Sequence, residues 1–211
     1  SVAVRVPGHP IFRSLLERLE FPLAAPSANP FGYVSPTLAE HVVATLGDRI
    51  LAVIDGGACK HGVESTIVDL RDPDAPKLLR PGPLSAEQLG MQDVEMELKQ
   101  GSNKLAQAAP GMLTQHYSPN TPITLFGHDE QPNNVQKSEA VLYNTKPTGI
   151  LAENTFWLSE SGDLTEIAHN LFMLIQKLDA RGFTRLQVER AENVDIGIAV
   201  NDRLSRAAAK R

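Results

Sequence analysis

The chain has 211 residues, of which 42% are hydrophobic, and a formal net charge of −5, so it can form one large domain or two small ones. The acidic balance argues against a protein that binds a nucleic-acid backbone over a basic surface. The single cysteine, Cys59, excludes an internal disulfide and a multi-cysteine zinc site. No apolar run approaches the roughly 18 residues of a membrane span. We therefore expect a cytoplasmic protein that does not associate with membranes.

The first 90 residues alternate between strand and helix patterns. Short apolar runs predict four strands, at residues 2–6, 50–54, 66–70 and 77–80. Apolar residues on one face predict a helix after Pro10. Ser35 and Pro36 predict the start of a second helix, which ends at Gly47, because a serine hydroxyl can cap the first turn and proline is tolerated there. A capping-box pattern at 85–88 predicts one more short helix.

The second half of the chain repeats this alternation. Strands are predicted at 123–126, 140–143, 149–151, 156–158 and 185–189, and helices at 164–178 and 198–209. Strands that alternate with helices imply an α/β sheet. Between the halves, proline and glycine interrupt every periodicity, which predicts a long linker whose segment 109–119 docks through apolar and aromatic side chains. The predicted division of the chain is 1–92, 93–120 and 121–211.

A polar loop precedes the helix that Ser35 is expected to cap. Ser27 and Asn29 offer a hydroxyl and an amide between two prolines. The N-terminus of a helix attracts phosphate or carboxylate groups through its free N–H groups and its dipole. The loop is therefore a candidate anion site, and a capped turn without a ligand is an equally good interpretation.

Two arginines suit an anionic ligand. Arg80 ends a predicted strand before Pro81 and Gly82, where its planar guanidinium can point into a cleft and bind phosphate or carboxylate. Arg5 lies within an otherwise apolar strand, where burial would require a partner for its charge. A substrate carboxylate and a structural salt bridge are both possible partners for Arg5.

The remaining candidates do not identify a nucleophile or a metal site. Residues 57–62 have the glycine spacing of a phosphate-binding loop but lack the lysine and hydroxyl residue that should follow. Ser65 has neither a nucleophile elbow nor an assignable His–Asp pair, which favours a hydrogen-bonding role. His116 could close over a site from the linker, although a packed or solvated histidine is more common. No catalytic residue and no metal bound by the protein are predicted.

Several short segments, taken in order, resemble one known family. They are Val-Arg-Val-Pro at 4–7, Ala-Pro-Ser-Ala-Asn at 25–29, Ser-Pro-Thr at 35–37, Asp-Gly-Gly at 55–57, Gly-Val-Glu-Ser-Thr-Ile-Val-Asp at 62–69 and Leu-Leu-Arg-Pro-Gly at 78–82. This ordered combination is similar to the YrdC-type threonylcarbamoyl-AMP synthases. Pro-Gly-Met-x-x-x-His-Tyr-Ser-Pro at 110–119 and Asn-Asp-Arg-Leu-x-Arg-Ala at 201–207 resemble the longer, two-domain branch. The implied fold is the C-terminal part of a YrdC-like mixed-sheet α/β domain, then a linker and a small Rossmann-like α/β domain.

The resemblance implies an enzyme that joins L-threonine, bicarbonate and ATP into threonylcarbamoyl-adenylate and releases pyrophosphate. The product would pass to the transferase machinery that forms threonylcarbamoyladenosine in tRNA. The positions that match the family's ATP site are Ser1, Ser27, Ser35, Arg80 and Tyr117. Those that match its threonine site are Arg5, Ala25 and Ser65, and Asn29 and His116 are further candidates. Mg²⁺ is expected to accompany ATP, and no stable nucleic-acid binding is expected.

The chain departs from the family pattern in one respect. The family has a further part of the YrdC-like domain before the strand predicted at 2–6, with a basic Lys-x-Arg element and more substrate contacts. We therefore expect this polypeptide alone to have little or no synthase activity. A non-catalytic RNA-binding or tRNA-handling module is an alternative function, against which the acidic balance argues. A regulatory domain that binds nucleotide through 121–211 is a third, and no glycine fingerprint supports it.

Overall fold

The structure, a computed structural model, describes residues 1–91, 111, 113, 116–128 and 130–209 and has a mixed α/β fold. The first part contains helices α1 (Pro10–Leu16) and α2 (Ala39–Leu46), followed by a 3-10 turn at Gly47–Arg49. Strands β1 (Ile67–Asp69) and β2 (Lys77–Arg80) pair in antiparallel orientation. The first two of the three helices predicted here are confirmed, as are the strands predicted at 66–70 and 77–80, and the short helix predicted at 85–88 is a turn. Of the predicted linker, residues 93–110, 112, 114 and 115 lie outside the described residues, which includes part of the docking segment predicted at 109–119.

Two predicted strands are absent from the described first part. Residues 2–6 and 50–54 have no regular secondary structure, and Val2, Val4 and Val6 are 82–84% exposed. A strand is held by hydrogen bonds from a neighbouring strand, and no described segment pairs with either run. The alternation of apolar residues shows that these segments are suited to a sheet. It does not show whether a neighbouring strand is present to pair with them.

The predicted start of α2 is also wrong. The helix begins at Ala39, and its N-cap residue, Leu38, forms no side-chain cap. Ser35 lies four residues before the helix and donates its hydroxyl hydrogen to Glu64 instead. The partner of the Ser35 hydroxyl is therefore the Glu64 carboxylate and not the N-terminus of α2. The two hydrogen bonds of the capping box at 85–88 are confirmed: the Ser85 N–H donates to the Gln88 side chain, and the Gln88 N–H donates to the Ser85 hydroxyl. They close a turn, however, and not the predicted helix.

The second part of the chain is built on a four-stranded parallel sheet. Its strands are β3 (Ile123–Phe126), β4 (Glu139–Thr145), β5 (Thr155–Ser159) and β6 (Arg185–Glu189), in the order β3-β6-β4-β5. The strand predicted at 149–151 is a turn, with Gly149 at a φ of 93° and Ile150 fully exposed. The other four predicted strands are confirmed. Within the described residues, no helix is long and apolar enough to cross a membrane.

Two helices complete the second part, α3 (Leu164–Asp179) and α4 (Asp195–Ala207). Asp163 caps α3 by accepting a hydrogen bond from the Glu166 N–H at 2.7 Å, as short polar side chains do at helix starts. Helix α3 packs on β5 and on α4, and α4 packs on β3. Both helices were predicted, although α4 begins three residues before the predicted residue 198.

One apolar core joins the two parts. Val34, Val63 and Tyr117 belong to the same buried cluster as the inner faces of α3 and α4. The Tyr117 ring stacks on Phe172 of α3, with ring centroids 5.4 Å apart. Because α3 contacts both the sheet and the loops of the first part, it holds these loops in fixed positions. Those loops carry most of the motifs found in the sequence.

Candidate functional site

A buried ionic cluster lies where the loops of the first part contact α4. We define the Glu64 cluster as Ser35, Glu64, Ser65, Arg80, Tyr117 and Arg203; Ser65 is exposed at its edge and takes part mainly through its backbone carbonyl. The Ser35 hydroxyl donates to Glu64 Oε1 at 2.6 Å, and Arg203 Nε donates to Glu64 Oε2 at 2.8 Å. The cluster therefore brings together four residues that were predicted from the sequence to bind substrates: Ser35, Ser65, Arg80 and Tyr117.

Arg80 is the last residue of β2 and is only 8% exposed. Its Nε and Nη2 donate to the backbone carbonyl of Ser65 at 3.1 and 2.9 Å. Burial lowers the pKa of its guanidinium, and the nearby charge of Arg203 acts in the same direction, while Glu64 opposes the shift. A second negative charge beside Arg80 would therefore be favourable, which suits a phosphate or carboxylate.

Glu64 carries the negative charge of the cluster. Burial alone would raise the pKa of its carboxyl, but Arg203 and the Ser35 hydroxyl outweigh that effect and lower the pKa below its ordinary value. Arg203 is fully buried, and its Nη2 also donates to the Pro81 carbonyl at 2.9 Å. A buried guanidinium is tolerated only when its charge and its donors are matched in this way.

The described part of the docking segment brings an aromatic pair to the cluster. Tyr117 adopts a φ of 62°, in the left-handed region that non-glycine residues rarely occupy, and it is 1% exposed. The Arg203 guanidinium lies 5.4 Å from its ring centroid, a cation–π distance. Burial raises the pKa of the Tyr117 phenol to about 12. The His116 and Tyr117 rings meet edge to face at 4.1 Å.

Two polar atoms of this pair suggest a place for a ligand. The Tyr117 hydroxyl lies beside the Arg80 guanidinium, yet it forms no hydrogen bond of good geometry within the part of the chain that the structure describes. His116 Nδ1 is likewise buried without a partner there, and burial lowers the pKa of the His116 imidazole. Buried polar atoms are normally satisfied, so a bound polar molecule is a reasonable partner for both.

Two glycines of the sequence motifs allow the loops to pack this closely. At Gly62, a Cβ would overlap the backbone carbonyl oxygens of Ala168 and His169 in α3. At Gly82, a Cβ would overlap the backbone around Ser65. Any larger residue would push the loops apart, so these glycines hold the segments at 62–66 and 80–82 against each other and against α3.

Comparison with known proteins identifies the family. The family model described as threonylcarbamoyl-AMP synthase, C-terminal domain, matches residues 84–209, more than half of the chain. The chain belongs to the threonylcarbamoyl-AMP synthase family. A second model, described as telomere recombination, matches residues 1–82. The resemblance expected from the ordered sequence motifs is thereby confirmed.

Individual relatives agree with this assignment. The threonylcarbamoyl-AMP synthase of Pyrococcus abyssi is 34% identical over all of this chain and 65% of its own length. That of Bacillus subtilis is 32% identical over all of this chain and 64% of its own. The crystal structure of P. abyssi Sua5 complexed with L-threonine is similar at a TM-score of 0.83 and 34% identity, covering 98% of this chain and 64% of that one. The chain thus spans slightly less than two thirds of the length of these relatives.

The other predicted site residues of this synthase-family chain lie in the exposed loops. Ser1, Arg5, Ala25 and Ser27 are all exposed. Arg5 is not within a strand, and because it is exposed its charge needs no buried partner in the described structure. Asn29 uses its amide hydrogens within its own turn, donating to the carbonyls of Pro30 and Tyr33. Substrate contacts for these residues remain predictions.

Sequence reasoning assigned no role to two arginines of the family motif at 201–207. Arg203 enters the Glu64 cluster, and Arg206 Nη1 donates to the Leu113 carbonyl at 2.7 Å, which holds the docking segment against α4. Asp202 accepts hydrogen bonds from both arginines. The arrangement Asp-Arg-x-x-Arg on a helix, with three charges within one turn and a half, was the signal that could have indicated a buried ionic network.

Proposed function

We propose that this chain provides part of the active site of a threonylcarbamoyl-AMP synthase, which forms threonylcarbamoyl-adenylate and pyrophosphate from L-threonine, bicarbonate and ATP. The observation that carries the proposal is the meeting of Ser65, Arg80 and Tyr117 at one cluster, in which Arg80 and Tyr117 are buried and Ser65 is exposed. The family membership supports it, as does the L-threonine named with the similar P. abyssi structure.

The proposed reaction has two bond-forming steps. The threonine amine attacks bicarbonate and forms a carbamate with loss of water. A carbamate oxygen then attacks the α-phosphorus of ATP, and the bond to pyrophosphate breaks, so that one adenylate and one pyrophosphate result. Neither step needs a protein nucleophile. Catalysis of this kind rests on positioning the reactants and on offsetting phosphate charge.

The residues of the cluster suit these two tasks. Arg80 would offset charge on the ATP phosphates, and the Tyr117 hydroxyl, which lacks a good partner among the described residues, would bind the nucleotide. Ser65 would contact threonine. We extend the proposal to the other family-matched positions, which are Ser1, Ser27 and Ser35 for ATP, Arg5 and Ala25 for threonine, and Asn29 and His116 as further contacts.

Mg²⁺ enters this proposal only as part of the substrate MgATP. Among the described residues, no group of three or more histidine, cysteine, aspartate or glutamate side chains is arranged to hold a metal ion. In MgATP, phosphate oxygens of the nucleotide supply ligands to the ion. We also propose that residues 121–211 form a Rossmann-like domain and that the adenylate passes to the machinery that modifies tRNA. The relatives reported above are all named as synthases, so the RNA-binding alternative finds no support.

The proposal is tested with the natural protein that contains these residues. Incubation with L-threonine, bicarbonate and ATP should release pyrophosphate only when all three are present, and mass spectrometry should detect the threonylcarbamoyl-adenylate. Arg80→Met should lower kcat/KM by about 10²-fold, the usual effect of removing one group that stabilises developing charge. Arg185→Met is the matched control, because Arg185 is half exposed and pairs with Glu139 at the start of β6. Pyrophosphate release that does not depend on threonine would refute the proposal.

A further inference from the structure

Arg203 is a charged residue whose three guanidinium nitrogens all donate hydrogen bonds inside the protein. Its side chain is fully buried. Nε donates to Glu64 Oε2 at 2.8 Å, Nη1 to Asp202 Oδ2 at 2.6 Å and Nη2 to the Pro81 carbonyl at 2.9 Å. Because this guanidinium is fully buried and each of its nitrogens already has a protein partner, we expect any effect of Arg203 on a reaction to act through those partners.

The partners of Arg203 are the immediate neighbours of the predicted substrate contacts. Glu64 precedes Ser65, and its second carboxylate oxygen accepts the Ser35 hydroxyl. Pro81 follows Arg80 directly. The fourth contact is with the ring of Tyr117 itself. One side chain from α4 therefore touches three separate segments of the chain, each at the point where it enters the cluster.

Stability alone is a weak explanation for this arrangement. A buried ion pair is often no more stabilising than apolar residues of similar volume, since burial removes the water that solvates both charges. What the pair offers, and apolar packing does not, is a fixed geometry: the planar guanidinium accepts only partners in defined directions. Small displacements of reacting groups have large effects on rates.

We propose that Arg203 is a positioning residue of the active site, which binds no substrate and holds the 64–65 loop, the end of β2 and Tyr117 in a single arrangement. The proposal rests on the proposed synthase function. It assigns a role in the active site to α4, whose residues lie more than 100 positions after the motifs at 62–69 and 78–82. The carboxylate of Glu64 connects α4 to these motifs, because it accepts a hydrogen bond from Arg203 and directly precedes Ser65.

The test compares Arg203→Met and Arg203→Lys in the natural protein at a temperature where both variants are folded. We expect Arg203→Met to lower kcat/KM for threonylcarbamoyl-adenylate formation by about 10²-fold. Lysine keeps a charge for Glu64 but cannot bind Asp202, Glu64 and Pro81 together, so Arg203→Lys should regain much of the thermal stability and little of the activity. Arg185→Met again serves as the control, with wild-type kinetics.

The outcomes separate this proposal from the proposed function. If the wild-type protein is active and the folded Arg203 variants are equally active, Arg203 has only a structural role and the proposal is wrong. If activity falls in strict proportion to stability in both variants, the proposal is also wrong. If the wild-type protein forms no adenylate, the proposed function itself fails. An NMR titration of Glu64 gives a readout without catalysis: Arg203→Met should raise the pKa of this carboxyl, because it removes the charge that lowers it.

Discussion

Glu64 shows how one carboxylate can organise groups that lie far apart in the sequence. Its two oxygens bind different partners, the Ser35 hydroxyl and the Arg203 guanidinium, which come from residues 29 positions before it and 139 positions after it. Both partners stabilise the ionised form, and the pKa of the carboxyl is lowered despite its burial. The negative charge of Glu64 therefore persists at neutral pH and offsets the charges of Arg80 and Arg203.

Replacement of Ser35 by alanine tests this role at a single atom. The change removes the hydroxyl that donates to Glu64 at 2.6 Å, and a hydrogen bond to a charged group contributes about 2 kcal/mol. We expect Ser35→Ala to lower the free energy of unfolding by about that amount in urea titrations. Ser14→Ala is the control, since Ser14 is exposed on α1. Equal stability of the two variants would contradict the assigned role.

At the scale of elements, local patterns were predictable and tertiary partners were not. Helix α3 follows from its apolar spacing, and the capping box at 85–88 follows from bonds between residues three apart. Ser35 has the same capping chemistry, but Glu64 competes for its hydroxyl through the fold. In the same way, the pattern at 2–6 indicates a strand but cannot supply its neighbour. Arg80 was identified by its place at a strand end and Tyr117 by a family motif, whereas the role of Arg203, which also lies in a family motif, depends on how α4 packs.

The contact between α3 and the loop at 62–64 predicts that this loop tolerates no side chain at Gly62. A Cβ at Gly62 would overlap two carbonyl oxygens of α3, and backbone atoms of a helix cannot move aside easily. Gly62→Ala should therefore displace the loop, lower the free energy of unfolding by about 1–3 kcal/mol and reduce adenylate formation.

Gly8→Ala is the matched control, because a Cβ at Gly8 would meet no atom within 4 Å. Thermal unfolding and initial rates of pyrophosphate release provide the two measurements. If Gly62→Ala behaves like Gly8→Ala in both, the loop does not depend on close packing against α3.

At the scale of the whole molecule, the two parts of the chain are joined by apolar and ionic contacts at the same place. Val34, Val63 and Tyr117 bury their side chains with those of α3 and α4, and the Glu64–Arg203 pair lies beside them. Separation of the parts would expose the apolar surface and take Arg203 away from Glu64, leaving Asp202 of α4 as its charged partner. The ionic contact therefore makes the association of the parts sensitive to the protonation of Glu64.

This sensitivity predicts a dependence of stability on pH. The pKa of Glu64 is lower in the folded protein than its ordinary value of 4.5, so its ionisation stabilises the fold fully above pH 4.5, and this contribution is lost as the pH falls through the lowered pKa. Glu64→Gln leaves Arg203 buried without a charged partner on the first part of the chain, which should cost about 3 kcal/mol at pH 7.

The difference in unfolding free energy between the wild type and Glu64→Gln should therefore be constant from pH 7 to about pH 4.5 and should narrow at lower pH, because the protonated glutamate then resembles glutamine. Urea titrations across this range measure it. Burial lowers the pKa of His116 and the charge of Glu64 raises it, so both proteins are compared in a His116→Asn background, where this coupling is absent. Glu17→Gln is the control, since Glu17 forms an exposed pair with Arg13 and its replacement should change the free energy by less than about 0.5 kcal/mol. A Glu64→Gln difference that is small at pH 7, or that does not change with pH, would show that this pair does not hold the two parts together.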